Sequence, residues 1–150
     1  MTIEQATLAD AAAILALQKL AYQSEAALYE DFTIPPLRQT LDELNSEIEN
    51  QVVLKALVEG RLVGSVRAGL HGQSCRVGRL IVHPDFQNRG IGTRLMNEIE
   101  RRFGEAERFE LFTGHRSERN LHLYGKLGYR PFRRERVGER LELVYLEKGT

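Results

Sequence analysis

The stretch HPDFQNRGIGTRLMNEIERRFG, residues 83–104, decides how the rest of the chain is read. It passes from Pro84 through Gly90 and Gly92 into a run where Leu95, Ile99 and Phe103 recur at helical spacing, and Gly104 stops it. The spacing predicts a helix from about Gly92 to Phe103. Glycine is a poor helix former, so two glycines at a helix mouth call for a physical reason. A helix start leaves its first N–H groups without partners and carries partial positive charge. Glycines there let an anion approach those N–H groups closely, so the pattern reads as a receptor for phosphate. The alternative is a plain strand-to-helix turn with convenient glycines.

Two familiar phosphate loops do not fit. A nucleoside-triphosphate loop needs G-x-x-x-x-G-K-[ST], and no Lys-Ser/Thr pair follows Gly92. A dinucleotide fingerprint needs G-x-G-x-x-G, and the third residue beyond Gly92 is Leu95.

Working outward, the 150 residues suit one domain with a single core. Lys+Arg and Asp+Glu are both 21, which argues against a nucleic-acid or anionic-membrane partner engaged by bulk charge. The local basic run of Arg133, Arg134, Arg136 and Arg140 reads as solvated strand and turn positions. Cys75 is the single cysteine, so no intramolecular disulfide forms, and no Cys/His cluster has zinc spacing. No metal is expected. Without a long apolar run or a basic-then-apolar start, the expectation is a soluble, cytoplasmic protein.

The pattern of elements can be followed along the chain. Residues 2–6 suit a short strand, and Thr7 with Asp10 suggests a capping box before a helix carrying Ile14, Leu17 and Ala21. Residues 22–37 look like an irregular or partly helical excursion. Thr40 and Glu43 form a second capping box, before Leu41, Leu44 and Ile48. Strand patterns follow in VVLKALV and RLVGSVRAGL around the Glu59-Gly60 turn, then RVGRLIVHP, whose Leu80-Ile81-Val82 run suggests a sheet centre. After the quoted helix come a strand, RFELFTG, a helix from Ser117 to Gly128, and an antiparallel pair around Gly138. The order is β-α-α-β-β-β-α-β-α-β-β, a mixed α/β single domain over residues 1–150.

QNRGIG, Gln87 to Gly92, resembles the Q/R-x-x-G-x-G/A signature of the GCN5-related N-acetyltransferase (GNAT) superfamily, within LIVHPDFQNRGIGTRLM. LYGKLGYRPF, from Leu123, resembles the family's L-Y-x-K-x-G-F/Y ending. The resemblance implies an α+β fold with a mixed, mostly antiparallel sheet of about seven strands and about four flanking helices. It implies acetyl-CoA as co-substrate, its pyrophosphate on the backbone of Gln87, Asn88, Arg89, Gly90, Ile91, Gly92 and Thr93. Leu80, Ile81 and Val82 would offer backbone groups to the pantetheine arm, which in the family lies where this strand splays from the next.

By the same resemblance Tyr124 is the candidate catalytic residue, protonating the departing sulfur. A thiol near pKa ~8.5 and a tyrosine near ~10 make that transfer close to balanced. The asparagine that many members place seven residues before this tyrosine is Ser117 here, so Asn120, one turn later, is a candidate contact to the coenzyme. The excursion's Tyr22, Glu25, Tyr29, Asp31 and Phe32 would form an acceptor pocket with apolar walls and negative charge, suited to a small-molecule or peptide amine. Glu110, His83, His115, Glu25 and Asp31 are candidates to take the amine's proton. Family members are often dimers, so a homodimer is a further expectation. The expected reaction is acetyl transfer to a primary amine by direct attack on the thioester; the alternative is a non-catalytic acyl-CoA-binding or regulatory module of the same fold.

Overall fold

The computed structural model describes residues 1–149. Alternating apolar residues and tight turns build one seven-stranded sheet: β1 (Thr2–Gln5), β2 (Val52–Val58), β3 (Arg61–His71), β4 (Ser74–Val82), β5 (Arg108–Gly114), β6 (Arg130–Arg136) and β7 (Glu142–Gly149). The spatial order is β1-β2-β3-β4-β5-β7-β6. Every neighbouring pair is antiparallel except β4 and β5. Glu59 and Gly60, at φ 51° and 77°, make the left-handed pair that a two-residue hairpin between β2 and β3 demands.

The four expected helices are present as α1 (Ala11–Ala21), α4 (Leu41–Asn50), α5 (Ile91–Arg102) and α6 (Glu118–Lys126). The excursion is more ordered than its composition suggests. It holds α2 (Gln23–Tyr29) and the short α3 (Pro35–Arg38), the latter started by the proline pair at its head. Both capping carboxylates work as expected: Asp10 accepts from the Thr7 N–H at 2.9 Å and Glu43 from the Thr40 N–H at 2.8 Å. Leu41 departs from its expected stripe. It is exposed at the first position of α4, while Leu44 is fully buried.

The core lies on both faces of the sheet. On one, Leu95, Met96 and Ile99 of α5 bury against Val63, Val66, Val77, Phe109 and Leu111. On the other, Ile14 of α1 and Leu44 of α4 meet Val53. Arg67, only 2% exposed, is a charge buried in the middle of β3. Its guanidinium donates to Gln18, Gln39 and Glu47, which ties α1, α4 and β3 together. No helix among the described residues is long and apolar enough to cross a membrane.

Candidate active site

Two breaks in regularity create the site. First, β4 carries a bulge: Ser65 pairs with Ile81 and Arg67 with Gly78, so Val66 faces both Arg79 and Leu80. Arg79 takes φ 50° there, an unusual conformation for a long side chain. Second, β4 and β5 pair only at Ser74–Arg108, Cys75–Phe109 and Arg76–Glu110. Beyond Arg76 the two strands part, and the β4 edge at Leu80–Val82 faces an open wedge instead of a neighbour. Leu80, Ile81 and Val82 line the resulting cleft of about 1070 Å³.

At the cleft's mouth the chain passes through a short 3-10 turn, Pro84–Phe86, into the loop Gln87–Gly90 and α5. Asn88 and Gly90 take φ 64° and 79°. The first α5 bond is Arg94 N–H to the Gly90 carbonyl at 3.1 Å, and among the described residues the N–H groups of Gln87 through Thr93 find no acceptor within the chain. Such a row of free amides at a helix start forms an anion-binding concavity. Gln87, Asn88, Gly90, Ile91, Gly92 and Thr93 all line the cleft. Gly92 is small for a second reason: a Cβ there would come within 3.3 Å of Leu123, so α5 and α6 meet closely at this point. A Cβ on Gly90 would meet nothing within 4 Å.

Arg89 differs from the other loop residues. Its guanidinium lies over the Phe86 ring, 4.9 Å from the centroid, and does not line the cleft. The cations that do line it come from α6 and its approach: Arg116, Arg119 and Lys126, with His122. Lys126 is the lysine of the L-Y-x-K-x-G-F/Y ending, though the motif gave it no role, and nothing in the motifs marked Arg119 and His122. Their spacing around Leu123 at i−4, i−1 and i+3 is the sequence signal that would have found them.

Tyr124 is 5% exposed, its ring 5.9 Å from that of Tyr129. Burial raises its phenol pKa, and the nearby Tyr22 phenol and Glu25 carboxylate push it further the same way. The phenol therefore holds its proton firmly at neutral pH and lies above the near balance with a thiol that free tyrosine would have. Asn120 lines the cleft and donates to the Thr113 hydroxyl at 3.3 Å. Ser117 stands at the α6 N-cap position, yet its hydroxyl does not cap the helix; it donates to Glu25 at 2.7 Å.

The residues expected at an acceptor pocket divide. Tyr22 and Glu25 line the cleft. Tyr29 is buried behind it, where its hydroxyl accepts the Arg116 N–H at 3.0 Å. Asp31 accepts from the Thr33 N–H at 2.8 Å and, with Tyr29, borders a separate cavity of about 360 Å³ beside the β6–β7 turn. Phe32 is 57% exposed and lines neither. The α2 helix turns the chain at Glu30, φ 52°, and so carries Asp31 and Phe32 away from the cleft.

The proton-acceptor candidates narrow in the same way. Glu110 is clamped by Arg76 and Arg108, each at 2.8 Å, and these bonds outweigh its burial and lower its pKa. His83 uses Nδ1 to accept the Asp85 N–H at 3.0 Å. His115 lines the cleft, but its Nδ1 accepts from the Glu142 N–H at 3.0 Å. Glu25 keeps a free carboxylate oxygen beside the cleft.

Comparison with known proteins bears on the fold and the family. A curated relative, UPF0157 protein YqkA of Bacillus subtilis (strain 168), is 27% identical over 116 residues, which is 77% of this chain and 33% of that protein. The chain thus spans about a third of the length of that relative. Among solved structures, the ribosomal-protein-alanine N-acetyltransferase from Brucella melitensis superposes with TM-score 0.81 at 20% identity, each chain covered in full. A PaiA N-acetyltransferase from Thermoplasma acidophilum in complex with coenzyme A does so with TM-score 0.82 at 16% identity, again over the whole of both chains. These likenesses show the fold. Residues 14–129 match the model of the acetyltransferase (GNAT) family, and the chain belongs to that family.

Proposed function

We propose that the protein moves an acetyl group from acetyl-CoA to the nitrogen of a primary amine. The observation that carries this reading is the unbroken row of unpaired amides from Gln87 to Thr93 at the head of the wedge between β4 and β5. The row fits a diphosphate: charge-assisted bonds from several amides contribute about 1.5–3 kcal/mol each. The free β4 edge at Leu80–Val82 fits an amide-bearing arm, and Asn120 stands across the wedge from it. A coenzyme A complex is known for the Thermoplasma acidophilum structure of the same fold.

Acetyl-CoA supplies a thioester carbon open to attack. The amine nitrogen bonds to that carbon as the carbon–sulfur bond breaks, without a covalent enzyme intermediate. Tyr124 donates its phenolic proton to the departing sulfur; burial keeps the phenol protonated at neutral pH, and the same upward shift makes the transfer less favourable than from a free tyrosine. Tyr22 and Glu25 give the acceptor end of the cleft an aromatic wall and a negative charge.

The test is release of free thiol from acetyl-CoA in the presence of spermidine, L-lysine, kanamycin or an alanine-terminated peptide, alongside calorimetric titration with CoA. Turnover with one of these amines supports the reading. CoA binding without any turnover would favour a binding module instead, and no CoA binding would remove the reading altogether.

A further inference from the structure

Partly buried carboxylates in this chain share a habit. Asp10 pairs with Lys55, Glu47 with Arg67, Glu98 with Arg101 and Arg102, and Glu100 with Lys148. Glu110 pairs with Arg76 and Arg108, Glu142 with Arg134, and Glu147 with Arg108. Among the described residues Glu25 is the exception: half-buried and facing the cleft, it has no cation. One oxygen accepts the hydroxyl of Ser117, itself only 3% exposed, so the carboxylate is fixed in place. Its field reaches the phenols of Tyr22, Tyr29 and Tyr124. Ser117 stands at the head of α6, and Tyr124 lies two turns along that helix, buried just behind the cleft lining, so one helix ties the unpaired carboxylate to the side chain that would protonate a leaving sulfur. Burying a carboxylate without a partner is costly, and the partner that is missing is a cation.

Resting on the acetyltransfer reading, we propose that Glu25 is the seat of the acceptor's ammonium group and the base that takes its first proton. The acceptor arrives as R–NH3⁺ and pairs with Glu25, which removes one proton, directly or through a water. The resulting R–NH2 attacks the thioester carbon; the carbon–nitrogen bond forms and the carbon–sulfur bond breaks. The sulfur takes the Tyr124 proton, the second nitrogen proton returns to the phenolate, and Glu25 releases its own proton to solvent. The substrate class is accordingly an amine that is charged at neutral pH, such as an alkylamine or polyamine. Other titratable or charged groups around this carboxylate are Arg116 and His115 from the β5–α6 connection, and Arg67 and Arg79, which act on Tyr22 from β3 and β4.

The test is the pH profile of kcat/KM from pH 6 to 9 for wild type, Glu25→Gln and Glu25→Asp, with whichever of spermidine, L-lysine, kanamycin and the peptide the wild type acetylates. With the amine arriving charged throughout and Glu25 taking its proton, the wild-type profile is expected to be flat. Glu25→Gln must wait for free amine, so its rate should rise about tenfold per pH unit, and a deficit of about 100-fold at pH 7 should shrink to a few-fold near pH 9. The KM for acetyl-CoA should stay within about twofold, and Glu25→Asp should restore part of the flat profile. A deficit constant across pH, or none, overturns the proposal while leaving acetyltransfer intact. A wild type inactive with all four amines sinks the acetyltransfer reading and this proposal with it.

Discussion

The amide row at the head of α5 can be tested by placing a charge in it. Gly90→Glu puts a side chain where an added Cβ meets nothing within 4 Å, so no steric clash confuses the outcome. The backbone cost is that of φ 79° for a residue with a Cβ, about 1–2 kcal/mol. For a domain of this size each kcal/mol lowers Tm by about 2–4 °C, so the variant should melt about 2–8 °C lower and remain folded. Binding suffers far more. A carboxylate about 5 Å from a diphosphate of two charges is repelled by about 2 to 7 kcal/mol, taking an effective dielectric constant between about 80 and 20. The lower limit is already about a 30-fold loss of CoA affinity. Gly90→Asn is the control, because asparagine tolerates the left-handed region, as Asn88 does at φ 64° in the same loop, and adds no charge. Calorimetry with CoA on both variants should show a few-fold loss for asparagine and a loss of at least about 30-fold for glutamate. Gly90→Glu that melts as a folded protein yet binds CoA within threefold of wild type would refute the cradle.

Three further outcomes are expected. Tyr124→Phe should lower kcat for thiol release by about 10² to 10⁴ while changing the KM for acetyl-CoA by no more than about twofold; an undiminished kcat would exclude the phenol from the reaction. Gly114→Ala drives a Cβ to 2.0 Å from the Tyr29 hydroxyl and should destabilise by about 1–3 kcal/mol, partly relieved when combined with Tyr29→Phe; equal Tm values for wild type and Gly114→Ala would contradict the contact. Cys75 is fully buried, and burial together with the Glu100 charge pushes its thiol up to about 12, so iodoacetamide at pH 8 should label it only after denaturation. Labelling of the native protein at the rate of a free thiol would contradict that placement.

Much of this architecture was legible before any coordinates. Period-two alternation, the Glu59-Gly60 turn and the two capping boxes place strands and helices because each is a local rule acting within a few residues. The loop from Gln87 to Thr93 was legible for the same reason: glycines at a helix mouth have a local electrostatic meaning. The misses are non-local. Asp31 and Phe32 share composition with Tyr22 and Glu25, and only the path of α2 separates them. Glu110 looks like any alternating strand residue until Arg76 and Arg108 arrive from β4 and from two positions earlier. Ser117 reads as a helix cap, and its use by Glu25 depends on a partner 92 residues away. Arg67 carried a readable signal, a charge in the middle of an apolar strand, without a hint of which groups would meet it.

The three-position pairing of β4 with β5 has a mechanical consequence. Two sub-sheets, β1–β4 and β5–β7, hang from one short seam, with α5 bridging to the second through Glu100, which meets Lys148 of β7 and the Tyr129 hydroxyl. Local opening should run along that seam first, since it has the fewest backbone bonds to break. A guest whose own amides bridge the wedge would act as an extra strand and clasp the halves together. Slowed amide exchange at Leu80–Val82 and Leu111–Thr113 would then report occupancy even when no chemistry takes place.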